Sequence, residues 1–519
     1  MATPKPVTAI FDIGKTNKKF LLFDREQSVV YQQEVTFDEI EDDEGHPCDD
    51  HRQLETWIKE EFRKVSDNRK FRITGLNFST YGATLVHLDD NGKVVTPLYN
   101  YLKPYPDDLL QQFYNHYDGH EQVCVQTASP PLGMLNSGLQ LYWLKHRKPG
   151  FYRKIKHTLH FPQYLAYLFH CRLSAEWTSI GCHTTLWDFQ KAGYHRWVRE
   201  EGIVDLLPDI KPVSTIHRIT YNGMPIDTGI GIHDSSAALV PYLLATEEPF
   251  IHLSTGTWSI AMNPFTDRLP AYEELEKDVL LYMNIYGKPV RASRLFLGSE
   301  FGHQIRKLGK HFGRNADQID CRPDPALFRK LATGNQPHRK LKFEKTCTSG
   351  LSFRNSEEHR DMSVFDTYEE ACHKLMLDLV AFQVESLQLA GDNTLKNQCG
   401  NDIDSSGTDC SKSSDDELMT EPGGVISESA GNNRENFTGD IVISRIIITG
   451  GFSHNDFFTR LLATFLPQIE IYTAVISNAS ALGASLVMGK NRKDRSLKQK
   501  LLGLKRHLPF ENLNLKEYS

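Results

Sequence analysis

The chain contains a polar turn whose residue types suit an anion. A short apolar strand over Ala9–Asp12 runs into Gly14, Lys15, Thr16, Asn17 and Lys18, and a second strand follows over Phe20–Phe23. The pattern reads as a β-hairpin. Glycine permits the tight backbone in which successive N–H groups point at one anion. Thr16 and Asn17 add side-chain donors, and Lys15 adds positive charge. Asp12 stands at the strand end, where a carboxylate can hold Mg²⁺, usually through water. The chemistry on offer is a phosphate grip built from a hairpin. Taken alone, such a segment is more commonly an ordinary turn with solubilising lysines.

Later stretches change that balance. Phe250 to Pro264 reads FIHLSTGTWSIAMNP, again strand, turn and strand, with Ser254, Thr255, Gly256 and Thr257 in the turn. Ile446 to Phe458 reads IIITGGFSHNDFF, a buried strand running into Gly450 and Gly451 and then a helix. Thr228 to Tyr242 reads TGIGIHDSSAALVPY, in which glycines lead to His233 and Asp234 and a helix opens over Ser236–Leu243. An aspartate just before a helix is commonly only an N-cap. Phe71–Phe78 is a buried strand ending in Ser79, Thr80, Tyr81, Gly82 and Ala83. Polar residues at the carboxyl ends of strands are where α/β sheets bind ligands.

In this order the elements resemble the FGGY carbohydrate kinases, which share the ATPase core of actin and hexokinase. The resemblance runs from about Thr8 to Gly489. It implies an α/β fold of two ribonuclease-H-like (actin/hexokinase ATPase-type) domains with the active site in the cleft between them. The N-terminal sugar-binding domain would span 1–243 and the C-terminal nucleotide-binding domain 244–490, with a tail over 491–519. It implies ATP and Mg²⁺ as cofactors, a small-molecule sugar as partner and a cytoplasmic location, with a homodimer left open. Gly14, Lys15, Thr16, Asn17, Gly256 and Thr257 would hold the ATP phosphates across the cleft. Gly450 and Gly451 would let the adenine lie against bare backbone, with Asn455 hydrogen-bonding the nucleotide and Asp12 anchoring the metal.

The same resemblance places Asp234 at the catalytic base, in the Gly-x-His-Asp context of the rhamnulose kinases. Thr80-Tyr81-Gly82 is similar to their Thr-Trp-Gly, where the ring packs beside the substrate, and the Gln-Arg-Glu of glycerol kinases is missing. Thr80, Tyr81, Gly82, His233 and Asp234 are thus the expected sugar contacts. They lean towards a deoxyketose such as L-rhamnulose or L-fuculose, with xylulose, ribulose and glycerol as alternatives. An actin- or chaperone-like ATPase working through protein partners is the rival class. It has no use for a sugar pocket.

The elements that must position these residues are ordinary for a large α/β protein. At 519 residues the chain exceeds one core. A net charge of −7 argues against a nucleic-acid binder. Nine scattered cysteines fit reduced thiols better than a disulfide framework. The opening MATPKPVTAI lacks the apolar segment of a secretory signal, and no apolar run reaches the ~20 residues of a membrane span. Helical spacing appears over Leu54–Val65, Ser137–His146, His160–Leu173, Phe301–Leu308 and Tyr368–Leu389. A return strand is expected over Val94–Tyr101, after the turn signal Asp89-Asp90-Asn91-Gly92. Cys182 and His183 lack partners at metal-ligand spacing, so SIGCHTTLWD (Ser179–Asp188) reads as a loop near the sugar cleft. The acidic run Phe37–Asp50 reads as a solvated loop with no role. The aromatic-poor stretch over 392–439 reads as a disordered insertion. The tail from Lys490 reads as a solvated helix.

Overall fold

The computed structural model describes residues 3–246, 248–315, 317–319, 321–333, 343–345, 353–355, 362–392, 395, 442–489, 503–513 and 515. The expected insertion, beyond 392 and 395, lies outside the described residues, as does the start of the tail.

The first hairpin forms as its alternation dictates. Strand β1 (Lys5–Ile13) pairs antiparallel with β2 (Asn17–Phe23), and β2 with β3 (Val29–Thr36). On its other side β1 pairs in parallel with β4 (Phe71–Thr80). Beyond β4 lie β5 (Ile216–Tyr221) and β6 (Met224–Gly229), giving the order β5-β6-β4-β1-β2-β3; the short β7 (Ile232–His233) also pairs with the end of β4. Side chains of a strand alternate between sheet faces, and in β1 both faces are buried. Val7, Ala9, Phe11 and Ile13 enter the core formed with helix His51–Ser66. Ile10 packs on the other face with Ala237, Val240, Ala481 and Ala484. Phe11 stacks on Phe20 at 4.3 Å and on Phe78 at 5.6 Å between centroids. Burying each such ring contributes about 1.5–3 kcal/mol, which anchors the hairpin in the core.

A second sheet repeats the plan. Strand β8 (Phe250–Thr255) pairs antiparallel with β9 (Ser259–Asn263); β11 (Pro289–Leu295) follows β9, and β10 (Val279–Met283) forms the edge. On the other side β8 runs parallel to β12 (Arg445–Gly450), then β13 (Glu470–Thr473). The central hairpin followed by a parallel strand is therefore present twice. Helix Tyr368–Ala390 fills one face of this sheet, its N-cap Thr367 accepting from the N–H of Glu370. The two halves meet where helix Ala479–Leu486 crosses helix Asp234–Ala245. Small residues allow the crossing: a Cβ on Gly483 would stand 1.9 Å from Ala237 O.

Several elements differ from the sequence reading. Leu85–Leu88 pairs with His157–His160, and Val94–Tyr101 supplies single bridges in place of a strand. Pro97, which has no N–H to donate, interrupts that segment. The helix expected over His160–Leu173 starts at Phe161, with a proline in its first turn, and ends at His170 before a left-handed Cys171. Helix Asp234–Ala245 begins at Asp234 itself. The tail is the largest correction. Lys505–His507 is strand β14, antiparallel to β13, and Phe510 and Leu515 are buried. Without it β13 would present an unpaired edge. None of the described helices is long and apolar enough to cross a membrane.

Candidate active site

Strands β1 and β7 flank β4 from opposite sides. Asp12 is level with Ser79, and His233 with Thr80. Asp12 is the last residue but one of β1 and Asp234 opens the helix after β7, so both carboxylates stand at the carboxyl end of the parallel strands. Burial pushes Asp234 up to about 6. Burial does the same to Asp12, also about 6, and the nearby Asp234 charge adds to it. Asp12 accepts from Ser480 Oγ at 2.7 Å. Asp234 Oδ1 accepts from the N–H of Ser235 at 2.6 Å and lies 3.3 Å from His233 Nε2. The Asp234 side chain is still 32 % exposed, leaving an edge within reach of a ligand.

His233 is buried and held neutral, its value lowered to about 4 by that burial. Its Nε2 is 3.2 Å from Cys182 Sγ. Gly82 is a glycine because these two groups leave no room: a Cβ there would stand 2.7 Å from Cys182 Sγ and 3.0 Å from His233 Nε2. Burial raises the Cys182 thiol far from the thiolate range, which suits packing rather than nucleophilic work. Tyr81 lies beside Phe161 and Tyr101 and donates its hydroxyl to Asp49 Oδ2 at 2.5 Å. Thr80 is turned inward, its hydroxyl donating to Tyr81 O at 2.9 Å.

The hairpin turn closes with Gly14 N–H donating to Asn17 O at 2.9 Å, and Thr16 and Asn17 are exposed. Lys15 has two carboxylate partners. Its ammonium is ion-paired with Asp49 at 2.8 Å and Glu39 at 2.7 Å, 5.9 Å from the centre of the Tyr81 ring. Lys19, which the sequence reading passed over, donates to Asn478 Oδ1 at 3.1 Å and lies near enough to Asp12 to oppose its rise.

A second group of residues lines a cavity of about 520 Å³: Gly256, Thr257, Ser299, Arg306, Gly451 and Asn455 are in its wall. Helix Leu297–His311 begins against the Gly256 turn, with the N–H of Ser299 donating to Thr257 O at 3.2 Å. A helix N-terminus and an arginine at one cavity suit a polyanion. Gly450 and Gly451 divide in role. A Cβ on Gly450, at φ +81°, would stand 1.7 Å from Thr255 O, so this glycine serves the strand pairing; Gly451 meets nothing within 4 Å and opens on the cavity. Asn455 caps helix Asp456–Phe465, its Oδ1 accepting from the N–H of Phe458 at 3.1 Å. Its amide nitrogen is the part left for a ligand.

Residues 7–224 match the N-terminal domain of the FGGY family of carbohydrate kinases. That match spans less than half of the chain. A carbohydrate kinase from Novosphingobium aromaticivorans is similar in structure over 98 % of both chains, at 22 % identity and a TM-score of 0.70. The ADP-bound glycerol kinase of Plasmodium falciparum is similar over 98 % of this chain and 96 % of that one, at 14 % identity and 0.64. These likenesses show the two-domain fold of the actin and hexokinase type. A rhamnulokinase from Mannheimia succiniciproducens is 26 % identical over 224 residues, 42 % of this chain and 44 % of that one. The chain thus matches less than half the length of that relative. The FGGY match runs from Val7 in β1 to Met224, the first residue of β6, and stops short of Asp234 and of the second sheet.

Proposed function

We propose that this chain is an ATP-dependent carbohydrate kinase that moves the γ-phosphoryl group of ATP to a hydroxyl of a neutral ketose or polyol. One observation carries the reading: Asp12 and Asp234 flank the end of β4 from opposite sides, and their partial burial, which raises both carboxyls to about 6, supports it. A general base should titrate near the working pH. At neutral pH Asp234 is mostly ionised yet more basic than an ordinary aspartate, and it would accept the proton of the attacking hydroxyl. Asp12 has a serine hydroxyl as partner and, among the described residues, no cation at ion-pair distance. A carboxylate with no ion-pair partner fits Mg²⁺, which when bound would neutralise the phosphate oxygens. The N–H groups of Thr16, Asn17 and Thr257 would spread the charge of the transferring group, those of Gly14 and Gly256 being used to close the two turns. The cavity at Gly451 and Arg306 would take the nucleotide.

The two sheets support a division after Leu243, into a sugar-binding and a nucleotide-binding half, with the tail strand β14 counted in the second. The ring of Tyr81, the neutral His233 and the similarity to rhamnulokinases support L-rhamnulose or L-fuculose among the ketoses. The described cysteines are free thiols, which supports a reducing, cytoplasmic setting. The test is ATP turnover against a panel of L-rhamnulose, L-fuculose, xylulose, ribulose and glycerol. ADP release is expected to depend on the sugar, with a deoxyketose preferred. ADP release that ignores every sugar would overturn the reading.

A further inference from the structure

The acidic run that reads as a solvated loop is exposed over most of its length, and its end turns inward at Asp49. Asp49, with a side chain only 11 % exposed, sits where three donors converge. Its Oδ2 accepts from Lys15 Nζ at 2.8 Å and from Tyr81 OH at 2.5 Å, and its Oδ1 is 3.5 Å from Lys18 Nζ. Despite burial, the hydrogen bonds from Lys15 and Tyr81 keep this carboxyl below the usual range.

Lys18 is 2 % exposed. Its ammonium donates to Lys15 O at 2.7 Å and reaches Thr16 O at 3.5 Å. In a trans peptide the C=O and the next N–H point opposite ways. Drawing these two carbonyls inward therefore turns the N–H groups of Thr16 and Asn17 outward. An ammonium buried this deeply needs a countercharge, and Asp49 is the carboxylate that meets it. The same carboxylate fixes the Tyr81 phenol and the Lys15 head beside it.

We infer that Asp49 is a positioning residue that holds the phosphate turn through Lys18 and the sugar wall through Tyr81 and Lys15, so that one side chain sets both binding geometries. The inference rests on the kinase reading. A buried charged hydrogen bond is worth enough that losing it should cost about tenfold in affinity.

The experiment compares Asp49→Asn, Tyr81→Phe, Lys18→Met and the distant surface variant Asp227→Asn, each checked for melting temperature. KM is measured for ATP and for the sugar that the panel selects, and Kd for a non-hydrolysable ATP analogue by calorimetry. Asp49→Asn should raise both KM values about fivefold or more. Tyr81→Phe should raise the sugar KM alone, Lys18→Met the ATP KM alone, and Asp227→Asn neither. Asp49→Asn that lowers melting temperature with both constants within about twofold would mark a structural role and overturn the inference. If Asp49→Asn does not fold, the two single-partner variants decide: moving both constants together, or neither, overturns it. If the wild type turns over no sugar, the kinase reading fails separately. The calorimetric Kd then tests the phosphate arm, which must weaken in Asp49→Asn and Lys18→Met and hold in Tyr81→Phe.

Discussion

Ser480 Oγ donates to Asp12 Oδ2 at 2.7 Å, and through that bond the helix after β13 of the second sheet reaches the first strand of the first sheet. The bond works against the burial that raises Asp12. It therefore keeps the carboxylate charged where a cation is wanted. Ser480→Ala should raise Asp12 further and weaken its hold on the metal. The expected result is an ATP KM about three- to tenfold higher, since one hydrogen bond to a charged group is lost, with Mg²⁺ saturating at higher concentration. The sugar KM should stay within about twofold. Mg²⁺ titrations of turnover in both proteins check this; an unchanged Mg²⁺ curve would remove Asp12 from the metal site.

Asp234→Asn preserves the side-chain shape and the approach to His233, and removes the base. Turnover should fall by ~10²–10⁴-fold, the usual scale of general-base catalysis, while the ATP analogue binds as in wild type. In the wild type, kcat/KM should rise with pH and level off above about 6, because both raised carboxylates must be ionised. The acid limb should steepen where the two titrate together. A flat profile between pH 5 and 8 would exclude either carboxylate as the ionisation that matters.

The same shifts act on stability, in the opposite sense. With a folded value near 6 against an ordinary 3.8, each carboxyl binds more protons folded than unfolded between those limits. Stability contributed by the site therefore falls as pH rises through that window, and the cost is fully present above about 6. Asp12→Asn should raise the melting temperature at pH 8 by about 1–2 °C, and the gain should shrink as the pH is lowered towards 5. Thermal unfolding at the two pH values measures it. A variant less stable at pH 8 would mean that Asp12 is held by more than Ser480.

The parts of the site that could be read from sequence share one property: their signal is local. The hairpin around Gly14 declares itself by alternation and a glycine, whereas Asp234, which by itself reads as an N-cap, stands out only through the resemblance of the Gly231–Asp234 stretch. What could not be read depends on partners far along the chain. Asp49 looks solvated within an acidic run, because Lys15 and Tyr81 are distant in sequence and close only in the fold. Lys15 reads as a phosphate ligand from its place in the turn, and its ion pairs with Asp49 and Glu39 have no local signal. Arg306 enters the cavity from a helix that carries no motif. The tail strand β14 has little pattern of its own and is defined by the free edge of β13. Gly450 and Gly451 look equivalent on paper, and the structure separates them.

That separation gives the last prediction. Gly450 combines φ +81° with a close approach to Thr255, so any Cβ strains the backbone and collides with a strand that cannot yield. Gly450→Ala should cost about 1–3 kcal/mol, as overpacking does, and lower the melting temperature with or without nucleotide present. Gly451 has open space where its Cβ would be, and that space is the cavity. Gly451→Ala should leave stability within about 0.5 kcal/mol and weaken the ATP analogue severalfold by placing a methyl group in the pocket. Melting curves without ligand and calorimetric titration of both variants separate the two effects. Equal loss of stability in both would mean that Gly451 also serves the fold; full nucleotide affinity in Gly451→Ala would move the nucleotide away from this wall of the cavity.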